Sequence, residues 1–235
     1  MEGVTIIAVS DVHSPRHLLQ YISALNRHAE ECSNAPLVIW AGDMVDKGNV
    51  KALAPVVNVT KKLCSNARII AVFGNEEYFD REPVFINSYT DVLWLNDTYM
   101  LMEVGGVKLA VYGTRGAIDE PTTWQRRHIP GIRLFYTRVV NRLEQSVATL
   151  RSKGYTVVAV MHYAPTYATI EGEDERIWRF VASKAMERAI VRSKPHLVIH
   201  GHAHNSKRLE ACIDGVRVIN VAFPARRDIT VITIK

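Results

Sequence analysis

The chain has 235 residues and a formal net charge of +5, with 48% hydrophobic and 23% charged residues. This composition is typical of a globular protein and excludes a disordered, fibrous or coiled-coil chain. Because no apolar run approaches the roughly 18 residues that cross a bilayer, and no basic segment precedes the first predicted strand, we expect neither a membrane span nor a signal peptide.

The first third of the chain alternates strands with helices. Apolar runs typical of strands buried on both faces lie at 4–9, 37–41 and 68–73. Helices are predicted at 15–31 and 50–64. This alternation predicts a parallel βαβ sheet.

The rest of the chain mixes hairpins with further strands and helices. Gly105-Gly106 lies between two strand-like runs and predicts a hairpin. The predicted strands are 99–104, 107–112, 156–161, 196–200, 208–213, 216–221 and 229–234, and the predicted helices are 132–153 and 174–192. Mixed parallel and antiparallel units predict an α/β fold of two packed mixed sheets with helices outside, in a single domain over 1–235.

Five polar clusters recur, each directly after a predicted strand. They are Asp11-Val-His13, Gly42-Asp43-Met-Val-Asp46, Gly74-Asn75-Glu76-Glu77, His162, and Gly201-His202-Ala-His204. Ligands of open α/β sheets bind at the carboxyl ends of strands. We therefore expect these clusters to converge on one edge of the molecule.

The side chains in these clusters are of the types that bind metal ions. The candidate donors are Asp11, His13, Asp43, Asn75, His162, His202 and His204. Carboxylate and imidazole without thiolate favour Mn, Fe, Co, Ni or Zn. Seven donors exceed the needs of one tetrahedral ion, so two ions sharing a carboxylate fit better.

Two donor pairs have a two-residue spacing. In extended backbone, residues i and i+2 point the same way. This spacing predicts that Asp11 and His13 bind one ion together, and that His202 and His204 do so as well.

The order Asp-x-His, Gly-Asp-x-x-Asp, Gly-Asn-x-Glu, His, Gly-His-x-His resembles the calcineurin-like metallophosphoesterase family, from Asp11 to His204. The resemblance implies a four-layer α/β/β/α sandwich with a dinuclear metal centre. It also implies the ligand sets: Asp11, His13 and His204 for one ion, Asn75, His162 and His202 for the other, and Asp43 bridging both. Asp46 and Glu77 are expected to support these ligands through hydrogen bonds.

Among the candidate catalytic residues Asn75, Glu76 and His162, one departs from the family's pattern. Many members have a histidine where this chain has Glu76. That histidine is thought to protonate the leaving group or to steady the transition state. A carboxylate beside two dications stays ionised, so Glu76 is expected to be a poor proton donor.

These observations favour a divalent-metal-dependent phosphoester hydrolase in which a metal-bridging hydroxide attacks in line. Both a phosphodiester and a small phosphomonoester fit as substrate. The alternative is a catalytically weak scaffold of this fold that binds protein or nucleic acid. The complete set of seven donors argues against that alternative.

The segment 115–154 carries an excess of positive charge, with eight Lys/Arg and three Asp/Glu. This suits an anionic partner such as a phosphate ester or nucleic acid, and a solvated helix face is the alternative. Arg126 and Arg127 are predicted to lie in the irregular stretch before the helix 132–153 and to bind substrate. Trp124 beside them could stack a base.

The three cysteines are Cys32, Cys64 and Cys212. They are odd in number, widely spaced and without a Cys-x-x-Cys pair. This pattern predicts buried, reduced thiols in a cytoplasmic protein.

Overall fold

The computed structural model describes residues 3–234, which form two mixed β-sheets. The strands of the first sheet are β1 (Val4–Val9), β2 (Leu37–Ala41), β3 (Arg68–Val72), β4 (Val92–Trp94) and β11 (Thr230–Ile234). Their order is β11-β1-β2-β3-β4, with β11 antiparallel to β1 and the other pairs parallel.

The second sheet has six strands. They are β5 (Thr98–Val104), β6 (Val107–Thr114), β7 (Thr156–Met161), β8 (Leu197–His200), β9 (Glu210–Ile213) and β10 (Val216–Asn220). Their order is β5-β6-β7-β8-β10-β9, with antiparallel pairs at both edges and parallel pairs in the middle.

Eight α-helices accompany the sheets in the described residues. They are α1 (Leu18–Arg27), α2 (Ala29–Asn34), α3 (Ala54–Leu63), α4 (Glu82–Ser88), α5 (Thr123–His128), α6 (Ile132–Ser152), α7 (Lys184–Ser193) and α8 (Phe223–Arg226).

The two sheets face each other across one apolar layer and are covered by helices outside. In β1, Ile6 belongs to the cluster between the sheets, whereas Ile7 packs with Tyr21 of α1 and Val56 of α3. The outer face of the second sheet packs against α6 and α7. Because the central strands are buried on both faces, their sequences read as continuous apolar runs. The predicted α/β/β/α sandwich is confirmed.

Two predicted helices are interrupted. The helix predicted at 15–31 is divided between α1 and α2 at His28, whose backbone leaves the helical region (φ −107°, ψ 33°). The helix predicted at 174–192 is wrong in its first half, which is a 3-10 helix (Glu175–Phe180). Ser183 then has extended backbone and accepts the Met186 N–H, so a new helix begins after it.

Four short elements were not predicted: β4, α4, α5 and α8. Helix α5 includes Arg126 and Arg127, so their placement in an irregular stretch is wrong. Thr122 accepts the Gln125 N–H while the Gln125 side chain accepts the Thr122 N–H. The spacing Thr-x-x-Gln in the sequence is typical of such a capping box.

Two further expectations concern the membrane and the thiols. Within residues 3–234, no helix combines the length and apolarity that crossing a bilayer requires. Cys32 and Cys64 are free and buried as predicted, but Cys212 is exposed. Cys212 lies on the edge strand β9, where alternate side chains point to solvent.

Candidate metal centre

The five polar clusters meet where β1, β2, β3, β7 and β8 end. Backbone hydrogen bonds between the loops that follow these strands hold the five clusters together. The Asp11 N–H donates to the Gly42 carbonyl at 2.9 Å, and the Gly201 N–H donates to the His162 carbonyl at 3.1 Å. The carboxyl ends of neighbouring parallel strands therefore bring together residues far apart in sequence.

Four of the seven candidate donors have left-handed backbone. The φ angles are 58° at Asp11, 45° at His13, 52° at Asp43 and 69° at His202. Left-handed conformations are uncommon outside glycine and cluster at functional sites, where the surrounding structure maintains them. The loops at this edge are thus held in conformations that point side chains into one place.

Glycines allow the loops to pass close to the two buried carboxylates. A Cβ at Gly74 would collide with the Asp43 carboxylate, and one at Gly201 would lie 2.5 Å from Asp11 Oδ2. Any larger residue at either position would displace a candidate ligand.

Asp11, His13 and His204 form the first group of donors, with ligand atoms within 4.8 Å of one another. Asp11 Oδ1 lies 2.8 Å from His204 Nε2 and 3.7 Å from His13 Nε2. The other Asp11 oxygen accepts the Ser10 hydroxyl and the His202 N–H. One carboxylate oxygen is therefore left to face the two imidazoles.

Asp43, His162 and His202 form the second group, again within 4.8 Å. Asn75 joins them, because its Oδ1 lies 3.0 Å from His162 Nε2. The structure thus brings together all seven predicted donors.

Asp43 lies between the two groups. Its Oδ2 is 3.3 Å from His162 Nε2 in the second group and 3.9 Å from His13 Nε2 in the first. Its Oδ1 accepts the Glu76 N–H at 2.7 Å, which fixes the carboxylate plane. This is the placement that a bridging carboxylate requires.

His202 and His204 do not share a donor group, although their two-residue spacing predicts that they bind one ion together. His202 belongs with Asp43 and His204 belongs with Asp11, so the two do not share one group. The left-handed backbone at His202 turns its side chain away from the direction that extended backbone would give. The prediction from the two-residue spacing is wrong here, whereas Asp11 and His13 do share a group.

Hydrogen bonds orient two imidazoles with their Nε2 atoms toward the donors. His13 Nδ1 lies 2.8 Å from Asp46 Oδ1, and His162 Nδ1 lies 3.0 Å from the Ala41 carbonyl. Since a carboxylate and a carbonyl only accept, each Nδ1 carries the hydrogen. In the neutral imidazole, each Nε2 then offers a lone pair to a cation.

These atoms fit divalent cations. His13 Nε2 is buried and has no hydrogen-bond partner among the described residues, and such an atom is costly unless a ligand satisfies it. His162 Nε2 and Asn75 Oδ1 lie 3.0 Å apart, so either a proton on the imidazole or a cation bound by both atoms would satisfy them. Ligands about 2.1 Å from one ion lie about 3 Å apart, so a cation would resolve both features.

Buried negative charge dominates the electrostatics of the centre. Burial alone would lower the pKa of His13 and His162, but Asp11 and Asp43 outweigh it and raise each pKa to about 9. Burial likewise opposes ionisation of Asp11, but the neighbouring His13 and His204 imidazoles hold its pKa well below its usual range. In the absence of metal, protons on imidazoles compensate the carboxylates, and binding of a cation would release them.

Glu76 and Glu77 both act on the loop that follows β2. The Glu76 Oε2 atom accepts the Lys47 N–H at 2.7 Å. Glu77 is buried and accepts the N–H groups of Asp43, Met44 and Gly74, each at 2.8 Å. Burial and the charge of Asp43 raise the pKa of Glu77 to about 7. Glu77 therefore positions Asp43 by accepting the backbone N–H of Asp43.

Replacing Glu77 with alanine should lower the free energy of unfolding by about 3 kcal/mol or more, because it leaves several buried N–H groups without an acceptor. Chemical denaturation at neutral pH measures the change. Glu103 is exposed on β5 and provides the matched control, since Glu103→Ala should shift stability by less than about 0.5 kcal/mol. Equal stabilities of the two variants would contradict this role.

Two cavities open onto the donors. One of about 410 Å³ is lined by five of the donors, drawn from both groups, and by Arg16 and Lys47. The other, of about 760 Å³, reaches the centre at Asn75, Glu76 and His202. Arg16 and Lys47 were not predicted as site residues, although each lies within a few residues of a metal-binding motif.

The predicted substrate residues Arg126 and Arg127 line neither of these two cavities. The Arg126 guanidinium donates to Glu120 Oε1 at 2.8 Å. Trp124 of the same helix does line the larger cavity. Substrate binding by Arg126 and Arg127 stays a prediction.

Comparison with known proteins gives a family for the chain. A family model described as calcineurin-like phosphoesterase matches residues 4–206, which includes every candidate donor. No curated protein sequence matches significantly.

Solved structures of similar fold include several hydrolases. A dimetal phosphatase from Danio rerio has a TM-score of 0.65 at 12% identity, with 100% of both chains covered. The phosphopantetheinyl hydrolase from Mycobacterium tuberculosis has a TM-score of 0.57 at 15% identity, covering 96% of this chain and 92% of that one. A 5′-nucleotidase precursor from Thermus thermophilus has a TM-score of 0.55 at 16% identity, and the match covers 93% of this chain but 48% of the nucleotidase. At these identities the likeness establishes the fold alone.

Proposed function

Because the chain belongs to the calcineurin-like phosphoesterase family, we propose that it hydrolyses phosphate esters at a dinuclear centre of divalent metal ions. One observation carries the proposal. Seven nitrogen and oxygen donors form two groups, and Asp43 Oδ2 faces both. The smaller cavity lies over these groups and would admit a phosphate group.

The residues that would hold the ions divide as the two groups do. Asp11, His13 and His204 would hold one ion, Asn75, His162 and His202 the other, and Asp43 both. Nitrogen and oxygen donors of this kind suit Mn, Fe, Co, Ni or Zn. When bound, two such ions would neutralise phosphoryl oxygens and activate water for in-line attack.

Protein groups around the donors supply positioning. Asp46 and the Ala41 carbonyl hold His13 and His162 with Nε2 toward the centre. Arg16 and Lys47 line the cavity above and would attract an anionic substrate. The Arg16 guanidinium lies 3.0 Å from Asp46, which keeps it beside His13.

A binding scaffold without chemistry is the weaker alternative. Burying two carboxylates and holding four donor residues in left-handed backbone conformations both cost stability. A surface used only for binding needs neither feature. Their joint presence therefore supports a hydrolase.

A hydrolysis panel tests the proposal. Purified protein supplied with Mn, Fe, Co, Ni or Zn should cleave phosphate monoesters, diesters or both, with activated aryl esters cleaved far faster than alkyl esters. The reason is that Glu76 accepts the Lys47 N–H and is not arranged to protonate a leaving group. Absence of hydrolysis of every ester with every metal would refute the proposal.

Glu76→His should flatten the dependence of rate on the leaving group. An imidazole can donate a proton near neutral pH, so rates on alkyl esters should rise relative to aryl esters by about tenfold or more. A plot of log(kcat/KM) against leaving-group pKa for both proteins measures the slope. Glu76→Gln is the control and should keep the steep slope, because it adds no titratable donor. A flat slope in the native protein would instead reveal another general acid.

A further inference from the structure

The larger cavity continues from the metal centre into an apolar space. It has a volume of about 760 Å³ and shares Asn75, Glu76 and His202 with the cavity over the donors. Ligand cavities of a few hundred Å³ or more typically hold organic molecules. This space is therefore available to the part of the substrate that the phosphate carries.

Aromatic side chains distinguish this cavity. Tyr78, Phe79, Trp124, Tyr163 and Phe180 all line it. Among the described residues that line the cavity over the donors, there is no phenylalanine, tyrosine or tryptophan. The aromatic surface is thus confined to the side of the centre that leads away from the ions.

Trp124 is the most exposed of these rings. Its side chain is 58% exposed, and its ring stacks on His128 at 4.7 Å with an interplanar angle of 21°. The capping box at Thr122 fixes the helix that carries both residues. A large exposed ring on a fixed element at the wall of a cavity provides a stacking surface.

The Phe79 ring of the cavity is held by its neighbours. Arg115 is 2% exposed, and its guanidinium lies 4.3 Å from the centre of the Phe79 ring and 2.6 Å from Glu82 Oε1. Phe79 also packs edge-on against Phe135 at 5.4 Å. These contacts keep the Phe79 ring in place before a ligand enters.

Tyr163 connects the cavity with the candidate ligands. Its ring packs edge-on against His202 at 4.9 Å, and its hydroxyl accepts a hydrogen bond from Gln125 Nε2 at 3.1 Å. Gln125 lies next to Trp124 in α5. The aromatic wall and the second donor group are therefore parts of one packed unit.

We propose that this cavity binds a planar aromatic group carried by the phosphate ester, so that the substrate is an aromatic phosphate such as a nucleotide or an aryl-bearing ester. The inference rests on the proposed function, because the phosphate must lie at the metal centre. Rings with π faces stack on aromatic walls with little dependence on their polar substituents. A saturated group of equal size fills the space without stacking and should bind more weakly.

Two matched pairs of substrates test the inference. Adenosine 5′-phosphate and ribose 5-phosphate are both esters of the primary 5-hydroxyl of ribose and differ in the base. Benzyl phosphate and cyclohexylmethyl phosphate have similar size and differ in planarity. In each pair the native protein should favour the aromatic member by about tenfold or more in kcat/KM. A preference in the first pair alone would identify a nucleobase, and a preference in both would identify any aromatic ring.

Variants of Trp124 assign the preference to the cavity. Trp124→Ala should reduce the aromatic preference by about fivefold or more, because kcat/KM should fall more on adenosine 5′-phosphate than on ribose 5-phosphate, and Trp124→Phe should retain most of the preference. Tyr99→Ala is the matched control, because Tyr99 is an exposed aromatic on β5 that does not line the cavity. A preference that survives intact in Trp124→Ala would overturn the inference, as would equal rates within both pairs of the native protein.

A binding measurement separates this inference from the proposed function. Adenosine 5′-phosphate should quench tryptophan fluorescence of the native protein but not of Trp124→Phe, and ribose 5-phosphate should quench neither. If no ester is hydrolysed with any metal, the proposed function fails. In that case, quenching that depends on Trp124 still supports the aromatic site, and its absence overturns it.

Discussion

Replacing Asp43 with asparagine should abolish hydrolysis and lower the metal content from two ions per chain toward one. Asp43 Oδ2 is the atom that faces both donor groups, at 3.3 Å from His162 Nε2 and 3.9 Å from His13 Nε2. Asparagine preserves the shape of the side chain but removes its charge. Because the bridge contributes to both sites, we expect kcat/KM to fall by at least about 1000-fold.

Metal analysis and kinetics on the same preparation check this result. Asp91→Asn provides the matched control, since Asp91 is exposed and forms a surface ion pair with Lys61. It should bind two ions and retain full activity. Full metal content and native rates in Asp43→Asn would refute the bridging role. A native protein that never binds more than one ion would refute the dinuclear centre.

Removing the metal should have an effect of similar size. Dialysis against a chelator should leave less than about 1% of the activity, because in the proposed mechanism the metal ions activate the attacking water. Adding back Mn, Fe, Co, Ni or Zn should restore hydrolysis, and the rates should rank the metals. Hydrolysis that survives complete removal of metal would contradict the proposed mechanism.

Cysteine variants control for nucleophilic catalysis by a thiol. Cys32 and Cys64 are buried among apolar side chains beneath the first sheet, and Cys212 is exposed on β9. A variant with all three replaced by alanine should keep kcat within about twofold if it remains folded by circular dichroism. A folded but inactive triple variant would show that a thiol takes part.

The sequence by itself determined the fold and the set of candidate donors. Strands buried on both faces require unbroken apolar runs, so β1, β2 and β7 were predicted with the bounds they have in the structure. The donors could be predicted because they are residue types that bind metal ions. Each also directly follows a predicted strand, and such strands end at one edge of the sheet. Short elements such as β4 and α4 could not be predicted, because three residues of strand or two turns of helix establish no clear periodicity.

The family resemblance implied the grouping of the donors, but only the tertiary structure decided the backbone geometry that separates them and what surrounds them. The separation of His202 from His204 depends on a left-handed backbone angle that the surrounding loops impose, and the two-residue spacing pointed the other way. The aromatic cavity joins Phe79, Trp124 and Phe180, which belong to three distant segments of the chain. Local pattern cannot reveal such a surface, because it exists only where separate loops pack side by side.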